Sequence, residues 1–139
     1  MRIIIYISRA KQNFTSGDLA DLRNLADARN RSEDITGLLL FDGTRFIQAL
    51  EGDAAAVQAV MNRIAKDPRH DNISYFKPIT TDYRQFKSWA TEYQDETDLC
   101  EGREFLDRVI KHVADVECDS IKAAFIGFAA LSLSRRLTV

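Results

Sequence analysis

Residues Ile35 to Gly52 read ITGLLLFDGTRFIQALEG, two apolar runs on either side of Asp42-Gly43. This predicts a β-hairpin with Asp42 and Gly43 at its turn, because tight hairpin turns favour residues that tolerate φ > 0. Side chains alternate faces along a strand. In the second arm Thr44, Phe46, Gln48 and Leu50 therefore share one face, and Arg45, Ile47, Ala49 and Glu51 share the other. Gln48 stands out, because Phe46 and Leu50 flank it on a face that should be covered. A buried amide carries two donors and an acceptor, each needing a partner. Either Gln48 bonds to backbone or water, or its amide faces a ligand.

Working outward, Arg2 to Ser8 (RIIIYIS) is β-branched and apolar on both faces, the pattern of a central strand covered on both sides. Ile3, Ile5 and Ile7 point one way. Ile4, Tyr6 and Ser8 point the other, so a phenol lies mid-strand in the interior, where its hydroxyl needs a partner. Thr15-Ser16-Gly17-Asp18 resembles a capping box. Leu19, Leu22, Leu25, Ala26 and Arg29 follow at helical spacing, so a helix is expected to about Asn30. Asn30 itself suits a C-terminal cap. Strand, helix and then Ile35 to Phe41 as the next strand make a right-handed parallel crossover.

Beyond the hairpin, Asp53 caps a second helix whose core stripe is Val57, Val60, Met61 and Ile64. Pro68 stops it. Lys66, Asp67, Arg69 and His70 cluster at that end, either as dipole complements on a solvated face or as a hold for an anionic or carbonyl-rich ligand. Asn72 to Thr80 reads as a fourth strand, with Pro78 marking an edge or bulge. Ser88 to Tyr93 reads as a fifth. Two helices are expected near Arg103 to Val113, with the stripe Phe105, Leu106, Val109, Ile110 and Val113, and near Ser120 to Arg135.

The fold class that results is α+β, a ferredoxin-like βαββαββ sandwich with two helices on one sheet face. The strands are apolar on both faces, so the two C-terminal helices are placed on the other. The sheet is then a middle layer that can relay a change from one side to the other.

With 139 residues there is room for one real core but not for two ordinary domains. An apolar fraction of 45% and a charged fraction of 29% match a globular chain in water, and a net charge of −2 makes no case for nucleic acid. Cys100 and Cys118 have no metal-ligand spacing and suggest no disulfide framework, so a reducing, cytoplasmic setting is expected. The apolar run at the N-terminus is too short for a secretory signal, and Ala123 to Leu133 is too short to span a bilayer. Phosphate-binding glycine loops, nucleophile elbows and HExxH are absent, and neither His70 nor His112 belongs to a metal set.

Five linked blocks, YISRA (Tyr6 to Ala10), ARN with ITGLLLFDG (Ala28 to Gly43), RFIQALEG (Arg45 to Gly52), KDPRH (Lys66 to His70) and RQFKSW (Arg84 to Trp89), strongly resemble the BLUF family, blue-light sensors that use FAD. The resemblance covers about residues 1–95, which makes 1–95 a flavin-binding domain and 96–139 a helical extension. It implies a flavin ring lying between the two helices on one face of the sheet. Tyr6 matches the photochemical tyrosine, which gives an electron and a proton to the excited flavin, and Gln48 matches the glutamine bridging the two. Asn30 matches the asparagine that hydrogen-bonds the ring. Asp67, Arg69 and His70 match the segment meeting the ring and its ribityl-phosphate side. Leu22 and Ile64 fall where apolar side chains pack against it. Trp89 matches the tryptophan of the fifth strand, whose position in or out of the pocket varies in accounts of the family.

Two positions depart from the pattern. Thr91 stands where methionine is common, which bears on a methionine-linked signalling route, and Ala26 replaces a serine that faces the flavin. The expected function is a blue-light photoreceptor, not an enzyme, in which light rearranges the Gln48 hydrogen bonds and the signal crosses the fifth strand, through Trp89 and Thr91, to the C-terminal helices. With no fused output domain, the expected partner is a separate effector protein, with neither nucleic acid nor membrane involved. Self-association is expected, with Ala123, Phe125, Phe128 and Leu131 as candidate interface residues if they are not taken up by the core. The competing classes are a flavin-dependent redox enzyme and a flavin-free interaction module.

Overall fold

The computed structural model describes residues 1–94 and 103–137, with side chains as far as residue 134. The elements follow in the order β1 (Arg2–Ala10), α1 (Ser16–Ser32), β2 (Thr36–Phe41), β3 (Arg45–Gly52), α2 (Ala54–Ala65), β4 (His70–Tyr75), β5 (Ile79–Thr80), β6 (Trp89–Tyr93), α3 (Arg103–Val113) and α4 (Asp119–Leu137). They form one sheet in the order β4-β1-β3-β2-β6, with β5 also paired to β1. β3 runs antiparallel to both β1 and β2, so β1 and β2 are parallel across it, as the expected crossover requires. β6 adds parallel to β2. β3 is thus the middle strand, with Gln48 in register with Tyr6 on one side and Leu39 on the other.

Alternation divides the sheet's residues between two cores. On one face Ile4, Tyr6 and Leu50 pack with Val57, Val60 and Met61 of α2, while Leu39, Phe41 and Phe46 pack with Leu19 and Leu22 of α1. On the other, Ile3, Ile5, Leu38, Leu40, Ile47 and Ala49 pack with Phe105, Val109 and Val113 of α3 and Ile121, Phe125 and Phe128 of α4. Each large apolar side chain so enclosed contributes about 1.5–3 kcal/mol relative to exposure. The ferredoxin-like sandwich with helices on both faces, expected from two-sided apolar strands, is the observed fold. The expected boundary at 95/96, and Cys100, lie outside the described residues.

Both helices of the α1–α2 face start as their sequences predict. Thr15 and Asp18 form a reciprocal capping box, and the Asp53 carboxylate accepts from the Ala55 amide. α1 runs two residues past Asn30, and Glu33 is its C-cap. Asn30 is therefore not a cap. Its carbonyl accepts from the Glu33 and Ile35 amides, which frees its side chain from that work.

Other expectations are corrected. The register pairs Phe41 with Phe46, so Gly43 and Thr44 are the central turn residues rather than Asp42 and Gly43, and of the pair only Gly43 has positive φ. Asp42 instead holds the turn with its side chain, Oδ1 accepting from the Thr44 and Arg45 amides. The fourth strand is broken around Pro78 into β4 and β5, and β4 bulges where Asn72 takes φ 52°. Ile110 is not part of the α3 core stripe but is exposed, as is Leu25 of α1. Phe125 and Phe128 are core residues, which removes them from any surface interface and leaves Ala123 and Leu131 outside.

Candidate functional site

A cleft opens between α1 and α2 above the sheet, enclosing about 710 Å³ that merges with solvent at its mouth. Leu39, Phe46, Tyr6 and Gln48 form the floor; Leu22, Ala26 and Asn30 come from α1, and Val60 and Ile64 from α2. All eight residues expected at the site, Tyr6, Leu22, Asn30, Gln48, Ile64, Asp67, Arg69 and His70, line this one cleft. They come from four separate stretches of chain.

The polar groups of the floor have a defined sense. The Tyr6 hydroxyl donates to Gln48 Oε1, with both residues buried. Burial pushes the Tyr6 phenol far above its ordinary value, and the neighbouring Asp67 charge adds to this. Tyr6 is therefore a proton donor at any physiological pH. Its donation fixes the amide so that Gln48 Nε2, with two N–H donors, is the end left over. Among the described residues nothing accepts from that nitrogen, and nothing bonds the Asn30 amide, which is buried at the cleft. The Gln48 nitrogen and the Asn30 amide, left without partners among the described residues beside one apolar slot, suit a planar group that carries both acceptors and donors.

The far end is built on the residues after α2. Asp67 accepts from the Arg69 amide at 3.0 Å and from its guanidinium at 2.5 to 3.1 Å. These bonds hold the Asp67 carboxyl below its ordinary value and raise that of Arg69. Arg69 is thus already paired, and Arg63, also at the cleft, is paired with Glu33 at 2.7 Å. Arg29 at the mouth has no carboxylate partner among the described residues.

His70 lines the cleft with both ring nitrogens bonded within the protein. Its Nε2 is 2.7 Å from the Ile64 carbonyl, which can only accept, so Nε2 carries the hydrogen. Its Nδ1 is 2.7 Å from the Ser8 hydroxyl, which then donates to the neutral ring. With both nitrogens committed, His70 contributes a wall. Its ring lies 6.0 Å from that of Tyr6 and 6.2 Å from that of Phe46. Ser8 was not anticipated as part of the site. Its signal was its place on the Tyr6 face, two residues on, in an otherwise apolar strand. Leu39, Phe46, Val60, Arg29 and Arg63 were missed too, although same-face spacing points to Phe46 from Gln48 and to Val60 from Ile64.

Trp89 and Thr91 lie on the cleft side of β6 but outside the cleft lining. The Trp89 indole donates to Thr91 Oγ1 at 3.2 Å, and Arg23 of α1 donates to the Thr91 carbonyl at 2.9 Å. Thr91, in place of methionine, therefore anchors the indole.

A βαββαββ sandwich with a two-amide, tyrosine-floored slot between its helices defines a binding domain for a flat heteroaromatic ring. Residues 1–92 match the family described as BLUF, sensors of blue light using FAD. The chain belongs to the BLUF family. It is 37% identical over 70 residues to the blue light- and temperature-regulated antirepressor BluF of Escherichia coli, which covers 50% of this chain and 17% of that protein. It is 40% identical over 70 residues to photoactivated adenylate cyclase subunit alpha of Euglena gracilis, again 50% of this chain but 7% of the relative. The chain therefore spans only a small part of these relatives. Among solved structures, the BLUF domain of BlrP1 superposes with TM-score 0.70 at 27% identity, over 94% of this chain and 86% of that one. The dark-state BLUF protein BlrB superposes with TM-score 0.67 at 25% identity, over 93% and 95%. The family is one of flavin-binding blue-light sensors, so the domain is a sensory module and not an enzyme. Among the described residues no helix is long and apolar enough to cross a membrane.

Proposed function

We propose that this chain binds FAD in the α1–α2 cleft, that Tyr6 and Gln48 form its light switch, and that it signals to a separate effector protein. The observation that carries the reading is the Tyr6–Gln48 hydrogen bond, with Gln48 Nε2 left over beside the unpartnered Asn30 amide. A bound flavin would supply blue-light absorption and an excited-state acceptor for an electron and a proton. Tyr6 is the donor: its proton is held on the phenol until then and is aimed at Gln48 Oε1. Gln48 responds by exchanging the donor and acceptor ends of its amide, by flipping or tautomerising. Leu22 and Ile64 hold the ring between the helices and Asn30 orients it, while Asp67, Arg69 and His70 close the side toward the ribityl chain. Arg29 is the guanidinium available to phosphate.

One solved relative is described with FMN, and the family description specifies FAD. Liquid chromatography of the flavin released from purified protein tests this reading, and a yield of FMN alone overturns it.

Residues 1–95 form the flavin domain and 96–139 an extension that receives the signal. Trp89 and Thr91 pass it along β6, whose opposite face carries Glu92. Glu92 accepts from Arg108 at 2.8 Å and from His112 at 2.9 Å, both on α3. The effector, or a second copy in a homo-oligomer, meets the outer face of α3 and α4, where Ile110 and Leu131 are exposed. The setting is cytoplasmic, with neither nucleic acid nor membrane as partner.

The decisive experiment is an absorption spectrum in the dark and after blue light. A flavin spectrum that shifts slightly to the red and recovers in the dark is expected. Bound flavin with no shift, or NADH oxidation in the dark, favours a redox protein, and a colourless protein that cannot be reconstituted with FAD favours a flavin-free module.

Asn30→Ala should weaken FAD binding about 5- to 150-fold, the equivalent of roughly 1–3 kcal/mol for a buried hydrogen bond left unmade, as read by fluorescence titration of the apoprotein. Flavin retention should also fall in acid. Asp67 titrates below its ordinary value of 3.8 when folded, so its grip on Arg69 is complete above that value and lost as pH falls through the lower one. Flavin release is therefore expected only in acid below that ordinary value, as the Asp67 carboxylate protonates, and Asp67→Asn should release flavin more readily at neutral pH as well.

A further inference from the structure

We infer that β3 drives α4 directly from its two ends, through buried polar contacts at Glu51 and Asp42, independently of the β6 path to α3. This rests on the proposed role of Gln48, which sits on β3 between those ends.

The strand carries two kinds of information on its two faces. Gln48 faces the cleft, whereas Arg45 and Glu51 face α3 and α4. Glu51 is fully buried, yet it is a carboxylate. Its oxygens accept from the Gln85 amide at 2.7 Å, the Phe86 amide at 2.8 Å and the Thr36 hydroxyl at 3.0 Å. A buried charge of this kind persists only while its hydrogen bonds are made. The segment it grips is the one that touches the helices. Gln85 Oε1 accepts from the Glu117 and Cys118 amides, the last residues before α4, at 3.0 and 2.9 Å. Next to it, the Phe86 ring packs on Phe125 of α4 at 6.2 Å.

The other end is tied in a similar way. Asp42, just ahead of β3, accepts from Ser132 of α4 at 2.6 Å through one oxygen, while the other holds the hairpin turn. The Arg45 guanidinium lies over the Phe128 ring at 5.1 Å. This end is also incompletely satisfied. Among the described residues, Arg45 Nε and both amide atoms of Gln94, which follows β6 and bonds the Phe41 carbonyl through its backbone, are buried without partners. Unpaired buried polar atoms make this contact cheaper to open than a fully satisfied one. The two ends differ accordingly: the Glu51 end is a complete hydrogen-bonded clamp on the start of α4, and the Asp42 end is a looser catch on its later turns. A shift of β3 that follows rearrangement of Gln48 is therefore expected to pivot α4 about its start and release its later turns.

The test is hydrogen exchange of α4 in the FAD-loaded protein, in the dark and under continuous blue light, with the red shift recorded on the same samples. Exchange near residues 128–132 should rise with light by about fivefold or more, and less at 118–122. Ser132→Ala, a mild substitution, should raise dark exchange at 128–132 toward the lit value while leaving the red shift in place. Gln85→Met should extend the light response to 118–122. Thr91→Val should leave both responses intact, since β6 leads to α3. Light-insensitive exchange across α4, a response unchanged by both Ser132→Ala and Gln85→Met, or one abolished by Thr91→Val overturns the inference while the red shift still stands. Absence of the red shift in the unaltered protein overturns the underlying reading together with this one.

Discussion

Gln48→Ala protein is expected to bind its flavin and to show no red shift under blue light. The Tyr6–Gln48 hydrogen bond and the separate position of the Asn30 amide explain why the two properties separate. Binding rests on apolar walls from Leu22, Val60 and Ile64 and on the Asn30 amide, none of which the substitution touches. The shift requires a group that can present either a donor or an acceptor to the ring, and the amide of Gln48 is the one joined to Tyr6. Alanine removes it. The buried Tyr6 hydroxyl then loses its acceptor, at a cost of about 1–3 kcal/mol, so the variant should melt a few degrees lower, roughly 2–10 °C. Difference spectroscopy and a thermal melt on one preparation check both points. A variant that still shifts to the red on illumination would remove Gln48 from the mechanism and leave Tyr6 acting alone.

Gly37→Ala should be among the most destabilising single-methyl additions in the chain. Gly37 is in β2 with φ 148°, where an added Cβ would lie 1.9 Å from the Ala49 carbonyl oxygen of β3 and 3.2 Å from Cζ3 of Trp89. Backbone cannot yield as a flexible side chain can, so β2 would have to separate from β3 or rotate toward a negative φ and lose its pairing with Trp89 in β6. A loss of about 3 kcal/mol or more is expected, lowering the urea midpoint by more than about 1 M. Gly127→Ala is the matched control. In mid-α4 its Cβ would meet nothing within 4 Å, so it should be stabilising by about 0.5–1 kcal/mol through helix propensity. If both variants unfold at the same urea concentration, the close approach of β2 to β3 is not what sets the stability.

Taken alone, the residues of this chain settled those features whose causes are local. The period-two alternation of RIIIYIS and RFIQALEG put Tyr6 and Gln48 on a common face before any pairing was known. The Thr15–Asp18 box and Asp53 set the starts of α1 and α2. The two-faced apolar strands required cover on both sides, and hence placed α3 and α4. Tertiary structure decided what depends on partners far apart in sequence. Asn30 read locally as a cap, but the helix continues beyond it, and only the approach of α2 makes its side chain part of a cleft. His70 read as a ligand contact, yet Ser8 and the Ile64 carbonyl take both of its nitrogens. The Asp-Gly pair named the right turn but not its register, because Asp42 is held by Ser132, 90 residues later, as well as by its neighbours. Glu51 read only as one charge at the end of a strand, and its burial is intelligible once the amides of Gln85 and Phe86 are seen to surround it. Local periodicity reports which face a side chain is on. Which groups neutralise it there is determined by hydrogen bonds that close only when the chain has folded, since a buried polar atom takes whichever partner the packing brings within reach.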